Sequence, residues 1–316
     1  MVQYFDISEW EEHQYYGTGG TRDKAVVENP MDSSLYYFKT SLKKKVIDYK
    51  YEFWSEIIAS EIGDALGLEI LHYDVAWKDN CLGCLSKSMI DQENEELQEG
   101  YKWLTGFDAQ YKVNDKEAYT FQAIERLMAN RFKQEGFIKD IIKIIIFDSI
   151  IGNEDRHQEN WSIIVRNKRT DHNTLFRRKR ADIESSYKFA PIYDSGSSMG
   201  RELTDSKISQ MLKDSVQLEA YIKRGQSEIH WEGEKGKQKH LELISKISAN
   251  GYKDIIIEII QSINQKYNEG TIIDIISNID NCLPEEHLEL KMPGFRKDFL
   301  IKLVSLRFAR LFELQL

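Results

Sequence analysis

The sequence predicts an α+β fold of two lobes, a small sheet-rich lobe over residues 1–90 and a larger, mainly helical lobe over residues 91–316. Three observations predict it. Short alternating stretches, LYYFKT at Leu35 to Thr40 and the run from Cys81 to Ile90, have the period of half-buried strands and fall before residue 91. A single helical pattern lies between them: Tyr51 to Leu68 has apolar residues at Phe53, Trp54, Ile57, Ile58, Ile62, Ala65 and Leu66, with Gly67 as a stop. Beyond residue 91 the helical period dominates.

In chain order, Gly17 to Lys24 reads GTGGTRDK, a glycine-rich loop of the kind whose backbone can approach phosphates closely. A turn-like ENPMDSS then leads into the strand that carries Lys39 near its end, where a cation can neutralise phosphate oxygens under the loop. The following helix presents Glu52 and Glu56 one turn apart, either of which can form an ion pair with that lysine. Leu82 to Met89 reads as the last strand of the first lobe, and the connection to the second lobe falls at Lys87 to Asp91. Helices are expected over Phe121 to Phe132, Phe137 to Ile151, Ser209 to Arg224, Gln238 to Ala249, Lys253 to Tyr267, Ile272 to Asn278 and Lys297 to Leu314. The last is amphipathic, with Lys302, Arg307 and Arg310 among apolar residues, and docking on the second-lobe core is favoured over a membrane surface.

Two motifs carry the chemistry: GNEDRHQEN at Gly152 to Asn160 and PIYDSGSSMG at Pro191 to Gly200. The first sits between the helix that ends near Gly152 and a strand at Trp161 to Val165, so Asp155 and Asn160 belong to a loop held by two buried elements. Asp194 lies in an Asp-Ser-Gly turn. Short carboxylate and amide side chains are the hard oxygen donors that magnesium prefers. In protein kinases the same five-residue spacing separates a base that receives the substrate hydroxyl proton from a metal-holding Asn, and a second Asp before a Gly holds metal from the other side. Alone, the first motif equally suits a capped turn.

Glycine loop, strand Lys, helix Glu, Asp-x4-Asn and distal Asp occur here in kinase order. The sequence resembles the HipA-like serine/threonine kinases, and among them the compact, CtkA-type forms. The matching stretches are GTRDK with LYYFK, the helix ending Glu56 to Leu68, GNEDRHQENW, APIYDSGSSMGREL at Ala190 to Leu203, and YIKRGQSEIHWEG at Tyr221 to Gly233. The resemblance implies a two-lobed protein-kinase-like fold with ATP and Mg2+ as cofactors. It implies Asp155 as general base, Asn160 and Asp194 as metal ligands, Lys39 as the phosphate-contacting lysine and Glu56, rather than Glu52, as its partner. Nucleotide contacts are expected from Gly17, Thr18, Gly19, Gly20, Thr21 and Lys39, and from the connection at Lys87, Ser88, Met89 and Ile90.

The activity so implied is an ATP- and magnesium-dependent serine/threonine protein kinase capable of autophosphorylation, with Thr18 and Thr21 as hydroxyls beside the glycines. A protein substrate and a cognate antitoxin-like partner are implied with it. The Asp-Arg-His-x-x-Asn signature is shared with phosphoinositide kinases, so a lipid or small-molecule kinase is the first alternative, and a nucleotide-binding pseudokinase is the second. Glu202 and Asp205 balance Arg201 and Lys207 after the metal-binding Asp, and that neutrality disfavours an anionic lipid. The sequence departs from longer members in opening almost directly at the glycine-rich loop, and in placing 33 residues between Asn160 and Asp194.

Composition is that of a soluble intracellular enzyme, and a cytoplasmic location is expected. A net charge of −9 argues against the whole surface being a nucleic-acid footprint. The opening MVQYFDISEWEEH is acidic where a secretory signal is basic and then apolar. Lys143 and Asp148 interrupt the one stretch that approaches a membrane span. Three cysteines do not make a disulfide framework, and strand alternation points Cys81 and Cys84 to opposite faces, which spoils a shared metal. From Arg166 to Arg180, seven of fifteen residues are Lys or Arg; the run reads as a docking surface for an acidic partner or as a solvated hairpin turning at Asp171 to Asn173.

Overall fold

The structure, a computed structural model, describes residues 2–13, 24–43, 49–133, 136–171 and 181–316. Its first sheet is built from β1 (Tyr4–Asp6), β2 (Glu11–Glu12), β3 (Lys24–Glu28), β4 (Leu35–Thr40), β5 (Asp74–Lys78) and β6 (Cys81–Lys87), in the order β1-β5-β6-β4-β3-β2. All pairings are antiparallel except β1 with β5. Alternation decides what each face carries. Val27, Phe38, Ala76 and Leu85 form a small apolar cluster with Ile7, while Val75 and Cys84 point into the main core. Lys39 pairs with Cys84 across the β4–β6 ladder and so shares its face. Cys81, three residues earlier, is exposed while Cys84 is buried.

That inner face is covered by α1 (Glu52–Ala65), which also packs against the second lobe and is therefore buried on nearly all sides. After α1 the chain runs beside the segment that precedes Asp194: Leu71 N–H donates to the Ile192 carbonyl at 2.9 Å and Ile192 N–H to the Glu69 carbonyl at 2.8 Å. Two parts of the sequence more than a hundred residues apart meet here, next to the Asp-Ser-Gly turn.

The second lobe contains β7 (Glu95–Glu99), α2 (Gly100–Phe107), α3 (Phe121–Arg131), α4 (Ile138–Ile151), β8 (Ser162–Asp171), β9 (Ala181–Phe189), α5 (Asp205–Lys213), α6 (Ser215–Arg224), α7 (His240–Ile247), α8 (Lys253–Lys266), α9 (Glu269–Asn278) and α10 (Gly294–Phe312). Its axis is α4, in which Ile141, Ile142, Ile144, Ile145, Ile146, Phe147, Ile150 and Ile151 are all buried. An apolar surface on every side is what a central helix requires. Helix α10 packs against α4, α5 and α9, as its amphipathic pattern demands, and no described helix is long and apolar enough to cross a membrane.

The second lobe is mainly helical, as expected, and the strand read at Trp161 to Val165 lies in β8, which forms a sheet with β7 and β9, two strands the sequence reading did not name. Strand β7 reads Glu-Glu-Leu-Gln-Glu and carries little apolar signal; it is held by its ladder with β8, where Leu97 faces Ile164. Residues 209–224 are not one helix, since Asp214 leaves helical geometry at φ −126° and its carboxylate accepts the Val216 and Gln217 N–H groups as the cap of α6. Of the turn expected at Asp171 to Asn173, Asp171 is still in the ladder, paired with Ala181, and residues 172 and 173 lie outside the described residues. That long hairpin accounts for the wide spacing between Asn160 and Asp194, and residues 172–180 of the run lie outside the described residues.

Candidate active site

A buried carboxylate organises the loop after α4. Asp148 sits in the isoleucine-rich helix with 2% of its surface exposed, so it needs a partner of opposite charge. Arg156 supplies one, donating from Nε to Oδ2 at 3.0 Å and from Nη2 to Oδ1 at 2.9 Å, and Asn153 donates its amide to Oδ1 at 3.0 Å. Burial opposes the charge on Arg156, but Asp148 outweighs it and holds the guanidinium above its ordinary pKa. Gly152 ends the helix at φ 68°, with its N–H donating to the Asp148 carbonyl at 2.8 Å. The chain can therefore turn back at once over the Asp148–Arg156 pair.

The same guanidinium ties this loop to the Asp194 turn. Arg156 Nη1 donates to the carbonyls of Asn160, at 2.8 Å, and of Tyr193, while Nη2 donates to Ser195 Oγ at 3.1 Å. Asn160 and Asp194 thus flank one buried group. The Asn160 amide donates to the Asp155 carbonyl at 2.7 Å, which leaves its oxygen as the group available to a metal. Asp155 is only half-buried, and its Oδ2 accepts a hydrogen bond from Ser197 Oγ at 3.1 Å.

Asp194 adopts the left-handed backbone region at φ 54°, an uncommon conformation that Asp tolerates better than most residues. Its N–H donates to the Tyr73 hydroxyl at 3.4 Å, and burial keeps that phenol protonated by raising its pKa well above the ordinary value. Lys39 donates to Asp194 Oδ1 and to Glu56 Oε1, both at 2.6 Å. Glu56 in turn accepts the Ser195 N–H through Oε2 at 2.7 Å. The Gly that closes the Asp-Ser-Gly turn permits this close approach, because a Cβ on Gly196 would lie 3.0 Å from Glu56 Oε1. Strand, helix and turn are closed into one ring of contacts.

The structure brings Lys39, Glu56, Asp155, Asn160 and Asp194 into a single hydrogen-bonded cluster. Glu52, the alternative partner one turn earlier, is engaged elsewhere: its carboxylate accepts the Leu42 N–H at 2.8 Å and pairs with Arg201. Lys87 closes β6 and pairs with Asp32 at 3.5 Å, Ser88 N–H donates to the Leu35 carbonyl at 2.8 Å, and Met89 and Ile90 follow on the path to β7. Gly17, Thr18, Gly19, Gly20 and Thr21 lie outside the described residues. Three contributors were not given roles by the sequence reading: Arg156, Ser197 and Tyr73. Arg156 had a signal, since a lone Asp in an isoleucine-rich helix calls for a cation nearby; Tyr73 and Ser197 had none.

Such an arrangement can offer a cation one carboxylate and one amide oxygen, from Asp194 and Asn160, and can receive a proton from a hydroxyl at Asp155. By fold the chain is a two-lobed, kinase-like protein. Its sequence matches the model of the HipA-like C-terminal domain over residues 16–267, and it belongs to that family. Among solved structures it is similar to the Helicobacter pylori proinflammatory kinase CtkA, with a TM-score of 0.74 at 21% identity over 99% of this chain and 100% of that one. It is also similar to HipA of Shewanella oneidensis MR-1, solved with HipB and operator DNA, with a TM-score of 0.55 at 12% identity over 97% of this chain and 67% of that one. A comparison with curated protein sequences returned no match.

Proposed function

We propose that this HipA-type chain is an ATP- and magnesium-dependent kinase that phosphorylates serine or threonine hydroxyls of proteins, itself included. The observation that carries the reading is the cluster in which Lys39 joins Glu56 to Asp194 while Asp155 accepts a hydroxyl hydrogen bond from Ser197. A substrate hydroxyl bound at Asp155 beside Ser197 would lose its proton to the carboxylate as its oxygen takes the γ-phosphoryl group and ADP leaves. Lys39, fixed by Glu56, supplies positive charge for the phosphates.

The donor set fits magnesium: one carboxylate from Asp194 and one amide oxygen from Asn160, a pair of hard ligands that leaves room for water and phosphate. When bound, the ion would neutralise charge on the phosphates. The glycine-rich loop at Gly17 to Thr21 would cover them, with Lys87 to Ile90 beside the base. Thr18 and Thr21 are the proposed autophosphorylation sites, since a phosphate there would repel the nucleotide's own. A cognate antitoxin-like partner belongs to this reading by likeness to the HipB-bound Shewanella protein.

The test is incubation of the purified chain with magnesium and γ-labelled ATP in the presence of a mixed protein acceptor and, separately, phosphoinositide vesicles, followed by mass spectrometry. Label on Ser or Thr of protein supports the proposal. Label on lipid alone, or on nothing, replaces it with the lipid-kinase or pseudokinase reading.

A further inference from the structure

Behind the catalytic loop lies a second basic site. A cavity of about 250 Å3 opens between α6, α7 and α10 and is lined by Arg307, His240, Lys223, Lys239, Arg310 and Glu242 among others. Arg307 is 5% exposed, and among the described residues no carboxylate lies within 4.0 Å of it. Its Nη1 donates to the Ser149 carbonyl at 3.2 Å, and its Nε has no partner. A buried guanidinium held by a single backbone carbonyl is an uncompensated charge, which proteins rarely keep without a counter-ion.

Three further features point the same way. His240 is 4% exposed and neither of its ring nitrogens has a partner among the described residues. Burial, and then the charge of Arg307, press its pKa down to about 3, so the ring is neutral and cannot itself balance Arg307. The N-terminus of α7 faces the same cavity: Lys239, His240, Leu241 and Glu242 are its cap and first turn, all four line the space, and no side chain caps the helix. Glu242 is the one acidic group in the lining, against four permanent cations, one of which, Arg310, is paired with Glu219. Burial opposes the Arg307 charge, and Tyr221, Glu154 and Glu202 favour it electrostatically without a hydrogen bond or ion pair to the guanidinium among the described residues.

We propose that this cavity binds a tetrahedral phosphate group, free or as a phosphate monoester, with Arg307 beneath it, the α7 N-terminus at its side, and Lys223 and Lys239 at its mouth. The site is separate from the Lys39–Asp194 cluster and stands whether or not that cluster transfers phosphate. It is nevertheless adjacent to the loop, since a Cβ on Gly152 would lie 2.5 Å from Arg307 Nη2.

The experiment titrates the full chain with inorganic phosphate and, separately, with O-phosphoserine, and follows the His240 ring signals by NMR, assigned by their loss in His240→Gln. Both ligands should move those signals with a dissociation constant of about 1 mM or tighter, the range reached by a few charge-assisted hydrogen bonds. Tighter binding of O-phosphoserine identifies a monoester as the ligand, and equal binding identifies the free ion. Arg307→Gln should abolish the response. If that variant does not fold, the exposed pair Lys223→Gln/Lys239→Gln should weaken binding about tenfold. Lys39→Met should leave it unchanged. Signals that stay still with both ligands, or that move with an affinity set by Lys39 and not by Lys223 and Lys239, would overturn the proposal.

Discussion

The ammonium of Lys39 lies 2.6 Å from Glu56 Oε1, and the other oxygen of that carboxylate accepts the Ser195 N–H at 2.7 Å. One side chain of α1 therefore sets both the lysine on the first sheet and the backbone beside Asp194. Glu56→Gln can keep the Ser195 contact but loses the charge that holds Lys39, so phosphoryl transfer should fall by about tenfold or more. Glu52→Gln should leave transfer intact and cost about 3 kcal/mol of stability, because it strips Arg201 of its buried partner. Transfer rates and urea midpoints for the two variants decide the matter; the reverse pattern would move the ion pair one turn earlier.

The Asp148–Arg156 pair is the structural root of the loop that carries Asp155 and Asn160. Asp148→Asn leaves a guanidinium that is 1% exposed without its counter-charge, and the expected cost is about 3–5 kcal/mol. A loss below about 1 kcal/mol in chemical denaturation would show that Arg156 is held by its carbonyl contacts instead.

In the proposed reaction Ser197 positions Asp155, to whose Oδ2 its hydroxyl donates at 3.1 Å. Removing its hydroxyl in Ser197→Ala should lower kcat about fivefold, the worth of one hydrogen bond, with KM for nucleotide unmoved. Ser197→Thr, which keeps the hydroxyl, should restore the rate. An unchanged kcat in Ser197→Ala would remove this role.

Acid should weaken the fold through His240. Its ordinary pKa of 6.5 is depressed to about 3 in the folded chain, by burial first and Arg307 second. Below pH 6.5 the unfolded chain binds a proton that the folded chain refuses, so stability present above that pH is lost as pH falls toward the folded pKa. The slope from this group is at most about 1.4 kcal/mol per pH unit. Urea midpoints measured without phosphate between pH 7 and 5 should fall less steeply in His240→Gln than in the parent chain. Parallel slopes would mean that His240 is not held neutral.

Much of this architecture was legible in the sequence, for physical reasons that can be named. Alternation placed Lys39 on a strand, the 3.6-residue period placed Glu56 on a helix, and Gly152 marked the stop of α4. Strand β7 was not legible, because it is polar and exists only through its ladder with β8. The break at Asp214 was legible in principle from an Asp-Ser pair that caps a helix, but the flanking apolar period ran through it. Arg307 was read as one basic residue of an amphipathic helix docked on the second-lobe core; burial of its guanidinium depends on Gly152 and Gly225, which come from elsewhere in the chain and leave space for it. Spacing along one helix carries no record of such long-range contacts.

The proposed kinase reaction needs Asp155 to take the proton while Asp194 holds the metal–nucleotide complex. The most direct test measures nucleotide affinity with magnesium and γ-phosphate transfer on the same preparations of Asp155→Asn and Asp194→Asn. Asp155→Asn should bind nucleotide as the parent chain does and transfer phosphate about 100- to 10,000-fold more slowly, whereas Asp194→Asn should lose magnesium-dependent nucleotide affinity itself. Transfer at the parental rate by Asp155→Asn would contradict the account.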